Sequence, residues 1–307
     1  MHVISMMNYK GGVGKTTLTG NLAAGLAVGG RSVLMIDVDP QASLTFSFVR
    51  PDEWQQKLAA SRTIKTWFDS FAMGSPIPLH SLVVAPEQFR SQLRDGGKLD
   101  LIASHLGLIN VDLELAAELG GASLRQTKMK YLRVHSRLRK ALRGAEFTGY
   151  DLVVIDCPPN FNVVTKSAIV ASDSILIPAK ADYLSTLGID YLHRNLSQLV
   201  REFNEYSKVD GDPNAEQISP SVLGVVFTMT QFYGGQAISA LRPFIDQTRK
   251  LGIPVFDCQL RENKTIFADA PQYGIPVILQ SPSGSTYRDV VAELRRFVSE
   301  FVAKMGM

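Results

Sequence analysis

Cysteine is nearly missing from this chain of 307 residues. The two present, Cys157 and Cys258, lie far apart with no C-x-x-C spacing, which excludes a thiolate zinc site and fits free thiols in a reducing compartment. Histidine is sparse too: His2, His80, His105, His135 and His193 are scattered, and none is read as a metal ligand. No apolar run approaches the roughly 18 residues of a membrane span. The opening "MHVISMMN" is too short for the apolar core of a secretion signal. The expectation is a cytoplasmic protein. Repeats and low-complexity tracts are absent. Charge is barely one-sided at +3, a weak pointer to an anionic partner.

What the chain does have is apolar material, 45% of it, with 20% charged residues. That suffices for a large core. Short apolar runs at 2–7, 32–37, 99–104, 152–157, 174–180, 222–229 and 254–258 lack polar alternation and are rich in β-branched residues, as buried parallel strands are. Helical patterns lie between them. The clearest runs from Thr16 to Val28, with Leu18, Leu22 and Leu26 on one face and a stop at Gly29-Gly30. Others fall near 53–61, 111–118, 123–143, 185–205, 236–251 and 286–304. Strand–helix alternation of this kind predicts an α/β fold, a doubly wound and mostly parallel sheet with helices on both faces. Residues 1–307 are read as one domain with no N-terminal helix-turn-helix. The polar stretch 210–221 is read as an inserted loop, and 50–98 as helices and loops layered on the same body.

The stretch "NYKGGVGKTT", Asn8 to Thr17, follows a predicted strand and opens a predicted helix. Glycines there free backbone N–H groups to face phosphate oxygens, and the helix start adds its positive dipole end. The expected ligand is a nucleotide polyphosphate with Mg²⁺, held by Gly11, Gly12, Val13, Gly14, Lys15, Thr16 and Thr17. Lys15 is placed for the β- and γ-phosphates, the Thr16 hydroxyl for the metal and Thr17 for the α-phosphate. Two strand ends carry carboxylates. Asp37 and Asp39 sit in "MIDVDPQASLT" and Asp156 in "DLVVIDCPPN", where ligands bind in open α/β sheets. A buried strand-end carboxylate needs hydrogen bonds or a cation, and water-mediated magnesium would satisfy Asp156.

The loop departs from the common phosphate-loop spacing. Its first glycine would fall at Tyr9, and Lys10 is an added cation. In this it resembles the deviant phosphate-loop ATPases, the group of ParA/Soj partition proteins, MinD and the nitrogenase iron protein. The resemblance covers nearly the whole chain through "DVDPQ", "DCPPN" and the segments 98–115, 174–192, 223–229 and 268–279. It implies that Lys10 reaches across a dimer interface to phosphates held by the other subunit. It also implies that Asp39 orients the attacking water, that Asp37 sits near the magnesium shell with Thr16 and Asp156, and that Lys10, Lys15 and Asp39 carry catalysis. Pro158-Pro159 match the family's second switch.

Three departures stand out: Tyr233 near an expected arginine, "LRENKTI" at 260–266 in place of an arginine-bearing segment, and Ser167 in place of asparagine. The family's DNA-contacting arginines are therefore not matched one by one. Arg242, Arg249, Lys250, Arg261, Lys264, Arg295 and Arg296 are the candidates for non-specific DNA contact, which needs phosphate neutralisation rather than base readout. The leading expectation is an ATP-dependent homodimer that binds non-specific double-stranded DNA on the nucleoid. A ParB-like or cargo-adaptor protein would stimulate its hydrolysis, and the cargo would be a plasmid, a chromosome or a protein body. A MinD-like membrane-positioning ATPase is the alternative, carried by the amphipathic C-terminal segment, which is read foremost as a core helix. An ATP-using ligase on the same scaffold is a second alternative, without a visible substrate constellation. Iron–sulfur carriers fail on cysteine count.

Overall fold

The computed structural model describes residues 1–93, 96–208, 216–233, 236–281 and 284–307, with only the backbone described at 233, 236–237 and 269–273. Seven strands form one sheet: β1 (His2–Met6), β2 (Ser32–Asp37), β3 (Lys98–Ile102), β4 (Leu152–Asp156), β5 (Ser174–Lys180), β6 (Ser221–Thr230) and β9 (Val255–Arg261), in the order β3-β2-β4-β1-β5-β6-β9. Every pairing is parallel. All seven predicted strands are found, displaced by a few residues at their ends. A two-stranded hairpin, β7 (Phe232–Tyr233) and β8 (Gln236–Ala237), stands apart from the sheet.

Among the described residues, twelve α-helices surround the strands: α1 (Lys15–Val28), α2 (Ser43–Phe48), α3 (Pro51–Lys57), α4 (Ile64–Ala72), α5 (Glu87–Arg90), α6 (Leu108–Glu118), α7 (Leu124–Leu142), α8 (Val163–Ala171), α9 (Tyr183–Ser207), α10 (Arg242–Lys250), α11 (Lys264–Tyr273) and α12 (Ser285–Met305). One face of the sheet is covered by α1 and α12, which bury Leu22, Leu26, Leu294 and Phe297 together. The other is covered by α4, α6, α7 and α8 around Trp67, Leu138 and Ile155, with α9 and α10 packing further along. Chain order and sheet order diverge at β1, which lies between β4 and β5. Its carboxyl end is the switch point where open α/β sheets take ligands.

Several helices differ from their sequence pattern. α1 is buried on all sides rather than along one leucine stripe, because α12 closes over its outer face. Gly25 makes that closure possible: a Cβ there would come within 2.9 Å of Ile278 Cδ1 and of Val298 Cγ2. α8 went unread because its sequence, VVTKSAIVA, is β-branched and poor in helix formers. Eight of its nine residues are buried, so packing overrides propensity. The pattern at 236–251 is α-helical only from Arg242, after a 3-10 turn at Ser239–Leu241, and its first residues form β8. The stretch 50–98 holds α3, α4 and α5, and the first half of the inserted loop at 210–221 lies outside the described residues. The apolar face of α12, with Val290, Val291, Leu294, Phe297 and Phe301, is spent on the core and not free for lipid. Among the described residues no helix is long and apolar enough to cross a membrane.

Both sheet edges are occupied. Along β3 the chain returns twice, pairing Thr63 with Ala103 and Val84 with Leu101. Along β9, two glutamates of α12 take the backbone N–H groups. Glu300 accepts from Asp257 N and Cys258 N, both at 2.9 Å, and Glu293 accepts from Arg261 N at 3.0 Å. Unpaired strand edges invite other chains, and side-chain capping removes that opening.

Candidate phosphate-binding site

The loop joining β1 to α1 is anchored before it turns. Asn8 is buried, donates Nδ2 to Pro178 O at 2.7 Å and accepts from Lys10 N at 2.9 Å. Gly12 (φ 66°) and Gly14 (φ 81°) then take the left-handed backbone that favours glycine. A Cβ at Gly11 or Gly12 would meet nothing within 4 Å, so the loop faces open space. Val13 is buried, and its carbonyl accepts from Thr228 Oγ1 at 2.9 Å, tying the loop to β6. Gly14 ends the loop, and α1 begins at Lys15 with no side-chain cap, leaving its first N–H groups directed at the cavity.

Lys15 is 7% exposed. Among the described residues its Nζ donates to two carbonyls, Asn8 O and Lys10 O, each at 3.3 Å. Burial lowers its pKa, against the opposing pull of Asp156 and Asp39. An ammonium held by two long carbonyl bonds in a low-dielectric loop is poised for an anion.

The carboxylates are brought together by register. Asp37 and Asp156 are paired residues of adjacent strands. Asp156 accepts from Thr16 Oγ1 at 2.7 Å and Thr19 Oγ1 at 3.3 Å. Asp37 accepts from Thr45 N at 2.8 Å, Thr45 Oγ1 at 2.7 Å and Asp39 N at 3.1 Å. Burial first, and neighbouring carboxylate charge after it, pushes both well above the ordinary carboxylate range. Such a pair calls for a cation. The donor set suits a divalent ion: one hydroxyl and one buried carboxylate, with space for water and phosphate oxygens. Among the described residues no cluster of three or more His, Cys, Asp or Glu side chains has metal-holding geometry, so the protein alone would supply few of the ligands.

Asp39 stands apart from the other two. It lines an open cavity of about 670 Å³ with Gly11, Lys15, Thr16 and Pro159. Its main chain is fixed from below, since Ser104 Oγ donates to Asp39 O at 2.7 Å. Thr17 lines this cavity and a second one of about 340 Å³, walled by Gly12, Gly14, Thr228, Met229, Leu260 and Phe267. The second cavity adjoins the loop. The unmatched segment 260–266 forms one wall of it, so that segment bounds a pocket rather than a free surface.

Lys10 does not point into the loop. Its Nζ donates to Asp182 Oδ2 at 2.7 Å and to Ser185 Oγ at 3.2 Å, both at the start of α9. Cys157 is buried, and desolvation pushes its thiol up to about 12, so it packs and does not react. Ser167 is buried within α8, donates to Val163 O at 2.9 Å and meets His135 Nδ1 at 3.4 Å, away from the loop. Asp112 of α6, unnoticed in the sequence, accepts from Val164 N at 2.9 Å and caps α8 behind Pro158-Pro159.

The basic candidates separate into two groups. Arg242 and Arg296 line one cleft of about 560 Å³ beside β9, while Lys250 and Arg295 are exposed on α10 and α12. Arg249 is shared between Asp246 at 3.5 Å and Asp257 at 3.6 Å. Arg261 is a correction. It is bound to buried Glu293 at 2.7 Å and to Asp289 at 3.1 Å, so its charge is already spent. Lys264 is exposed but borders the 340 Å³ cavity, with Glu262 at 4.0 Å. The side chains of Tyr233, Asp269, Ala270 and Pro271 lie outside the described residues. Sequence reasoning found the helix α7 but passed over its charge, seven Lys or Arg residues and no Asp or Glu. Lys128, Arg137 and Arg139 are met by acids from elsewhere, Glu205, Glu118 and Glu216.

A glycine loop of this form, set at the switch point of a parallel sheet, defines a phosphate-loop nucleotide-binding fold. The chain belongs to the AAA domain family, whose model matches residues 1–209. It is similar to the chromosome partitioning protein ParA of Caulobacter vibrioides, with 29% identity over 282 residues that take in 91% of this chain and 87% of that one. It is also similar to the sporulation initiation inhibitor protein Soj of Bacillus subtilis, at 26% identity, covering 95% of this chain and 97% of that one. In fold it matches a variant of McdA from Cyanothece solved in complex with ATP, with TM-score 0.71, 18% identity, and 100% and 97% of the two chains covered. The ParA/Soj likeness expected from the loop therefore extends along most of the chain.

Proposed function

We propose that the chain is a dimer-gated ATPase of the ParA type, binding ATP with Mg²⁺. Main-chain N–H groups of 11–16 and the Lys15 ammonium hold the phosphates. Thr16 and Asp156 hold the ion, which supplies charge withdrawal from the phosphoryl oxygens. Asp39, on a loop pinned by Ser104, orients the attacking water. Lys10 of a second subunit neutralises charge that develops on the transferred phosphoryl group, so hydrolysis depends on association.

One observation carries this reading: Lys10 belongs to the loop yet serves none of its own phosphate positions. It sits beside an exposed apolar face on α9, made by Tyr183 (59% exposed), Leu184 (68%), Leu187 (46%) and Tyr191 (61%). An apolar face with a cation at its edge suits a second copy of the chain. The ATP-bound dimer would hold non-specific duplex DNA through Arg242, Lys250, Arg295 and Arg296. A ParB-like or cargo-adaptor partner would stimulate hydrolysis and release.

The test is Lys10→Ala, followed by light scattering with ATP and by partner-stimulated phosphate release. The expected result is ATP binding without dimer and without stimulation. A variant that dimerises and hydrolyses as the parent does would refute the reading. ATP-dependent retention of random duplex, weakening steeply with salt, tests the DNA half.

A further inference from the structure

Lys10 is held in its own subunit by a defined site. Asp182 is the N-cap of α9: its Oδ1 accepts from Ser185 N at 2.7 Å while its Oδ2 takes the Lys10 ammonium at 2.7 Å. One carboxylate thus secures both a helix start and a lysine from the phosphate loop. Against the cost of partial burial, hydrogen bonds from Lys10 and Ser185 hold this carboxyl below its usual range. A second tether runs alongside. Tyr9 Oη accepts from Asn195 Nδ2 at 2.6 Å, and its ring lies 5.5 Å from that of Tyr191.

The two lysines are also joined to each other. The Lys15 ammonium, which would take the phosphates, rests on the carbonyl of Lys10 at 3.3 Å. A phosphate arriving at Lys15 removes that contact from the residue whose side chain is bound to α9.

Resting on the dimer reading above, we propose that Asp182 is a positioning residue that stores Lys10 in its own subunit. Lys10 leaves it for a second copy's nucleotide after phosphate has drawn Lys15 off the Lys10 carbonyl. Three physical points support this. An ammonium 2.7 Å from Asp182 cannot at the same time reach a neighbouring subunit. The exchange favours the nucleotide, because a polyphosphate carries more charge than one carboxylate. Release also leaves Asp182 satisfied, since Ser185 N–H and the helix dipole of α9 still hold it. The store is therefore reversible. Its two side chains are 35% and 42% exposed, so solvent screens the pair and the bias is modest, about two- to five-fold in assembly.

The experiment uses the full chain. Asp182→Asn keeps a good helix cap and removes the charge, and Asp182→Ser is a second cap of different shape. Dimer formation is followed by sedimentation across an ATP titration, and steady-state hydrolysis is measured beside it. Both variants are expected to dimerise at about two- to five-fold lower ATP. KM should fall while kcat at saturating ATP holds, and adding Lys10→Ala should abolish the gain. An unchanged midpoint, a midpoint at higher ATP, or disagreement between the two variants overturns the proposal. The two failures are distinguishable. If Lys10→Ala alone dimerises normally, the dimer reading falls and this one with it. If Lys10→Ala fails to dimerise but Asp182→Asn matches the parent, only the storage role falls.

Discussion

Replacing Thr45 with valine probes the most tightly built part of the site. Thr45 and Asp37 are both wholly buried. The Thr45 hydroxyl donates to Asp37 Oδ2 at 2.7 Å and accepts from Ser104 N at 2.8 Å. Valine fills the same space without either bond. Losing a hydrogen bond to a charged group costs about 1.5–3 kcal/mol, and stranding a buried N–H about 1–3 kcal/mol. Asp37 keeps its bonds from Thr45 N and Asp39 N, so the sum is expected near 3–4 kcal/mol. That is a large share of a typical stability of about 5–15 kcal/mol.

The pH dependence gives the sharper test. Asp37 is already raised by burial, and the Thr45 hydroxyl pulls it down. Without that hydroxyl the folded pKa rises further. A group raised in the folded state contributes stability below its unfolded pKa and loses it as pH climbs through the folded one. The deficit of Thr45→Val should therefore be larger at about pH 8 than at about pH 5. Urea unfolding of parent and variant at both values reads this directly, because acid effects from other groups cancel in the difference. A deficit below about 1 kcal/mol, or one independent of pH, would refute the argument.

His135 is buried, and desolvation, helped by the Lys166 charge, lowers it to about 3. Unfolded chains take up its proton first, so parent stability should fall by about 2 kcal/mol between about pH 6.5 and 5. His135→Gln should flatten that slope in urea titrations, and an unchanged slope would assign the acid loss elsewhere. Gly25→Val forces a branched side chain against Ile278 and Val298 and should cost about 1–3 kcal/mol, read as a lower midpoint in thermal unfolding. Alanine at Arg242, Lys250, Arg295 and Arg296 together should reduce the salt slope of duplex binding by about 3–4. Arg261→Ala should leave that slope unchanged while lowering the urea midpoint, because it strands buried Glu293.

The strands were legible because a parallel sheet covered on both faces writes itself as unbroken β-branched runs, as at Leu152–Asp156. α8 was not, because Val163, Val164 and Ile169 favour strand over helix, and the space between α6, α7 and the sheet makes them helical. The phosphate loop was readable residue by residue, since the spacing of Gly12, Gly14, Lys15 and Thr16 is itself the geometry. The resting place of Lys10 was not, since Asp182 lies 172 positions away. Arg261 shows the opposite limit. A basic residue in an exposed-looking segment carries no sign that a glutamate of the last helix will neutralise it. Ser167 was noted as a departure near the site, yet it faces His135 in a different layer of the fold.

The covered margins of the sheet set the arithmetic of assembly. Returning chain lies along β3, and Glu293 and Glu300 hold the N–H groups of β9. Growth by adding strands, the simplest route to an open-ended fibre, is shut on both sides. Two subunits meeting at the strand ends would consume each other's exposed face. On the proposed dimer reading the stoichiometry would then close at two, and the switch would register presence or absence of a mate rather than the length of a polymer.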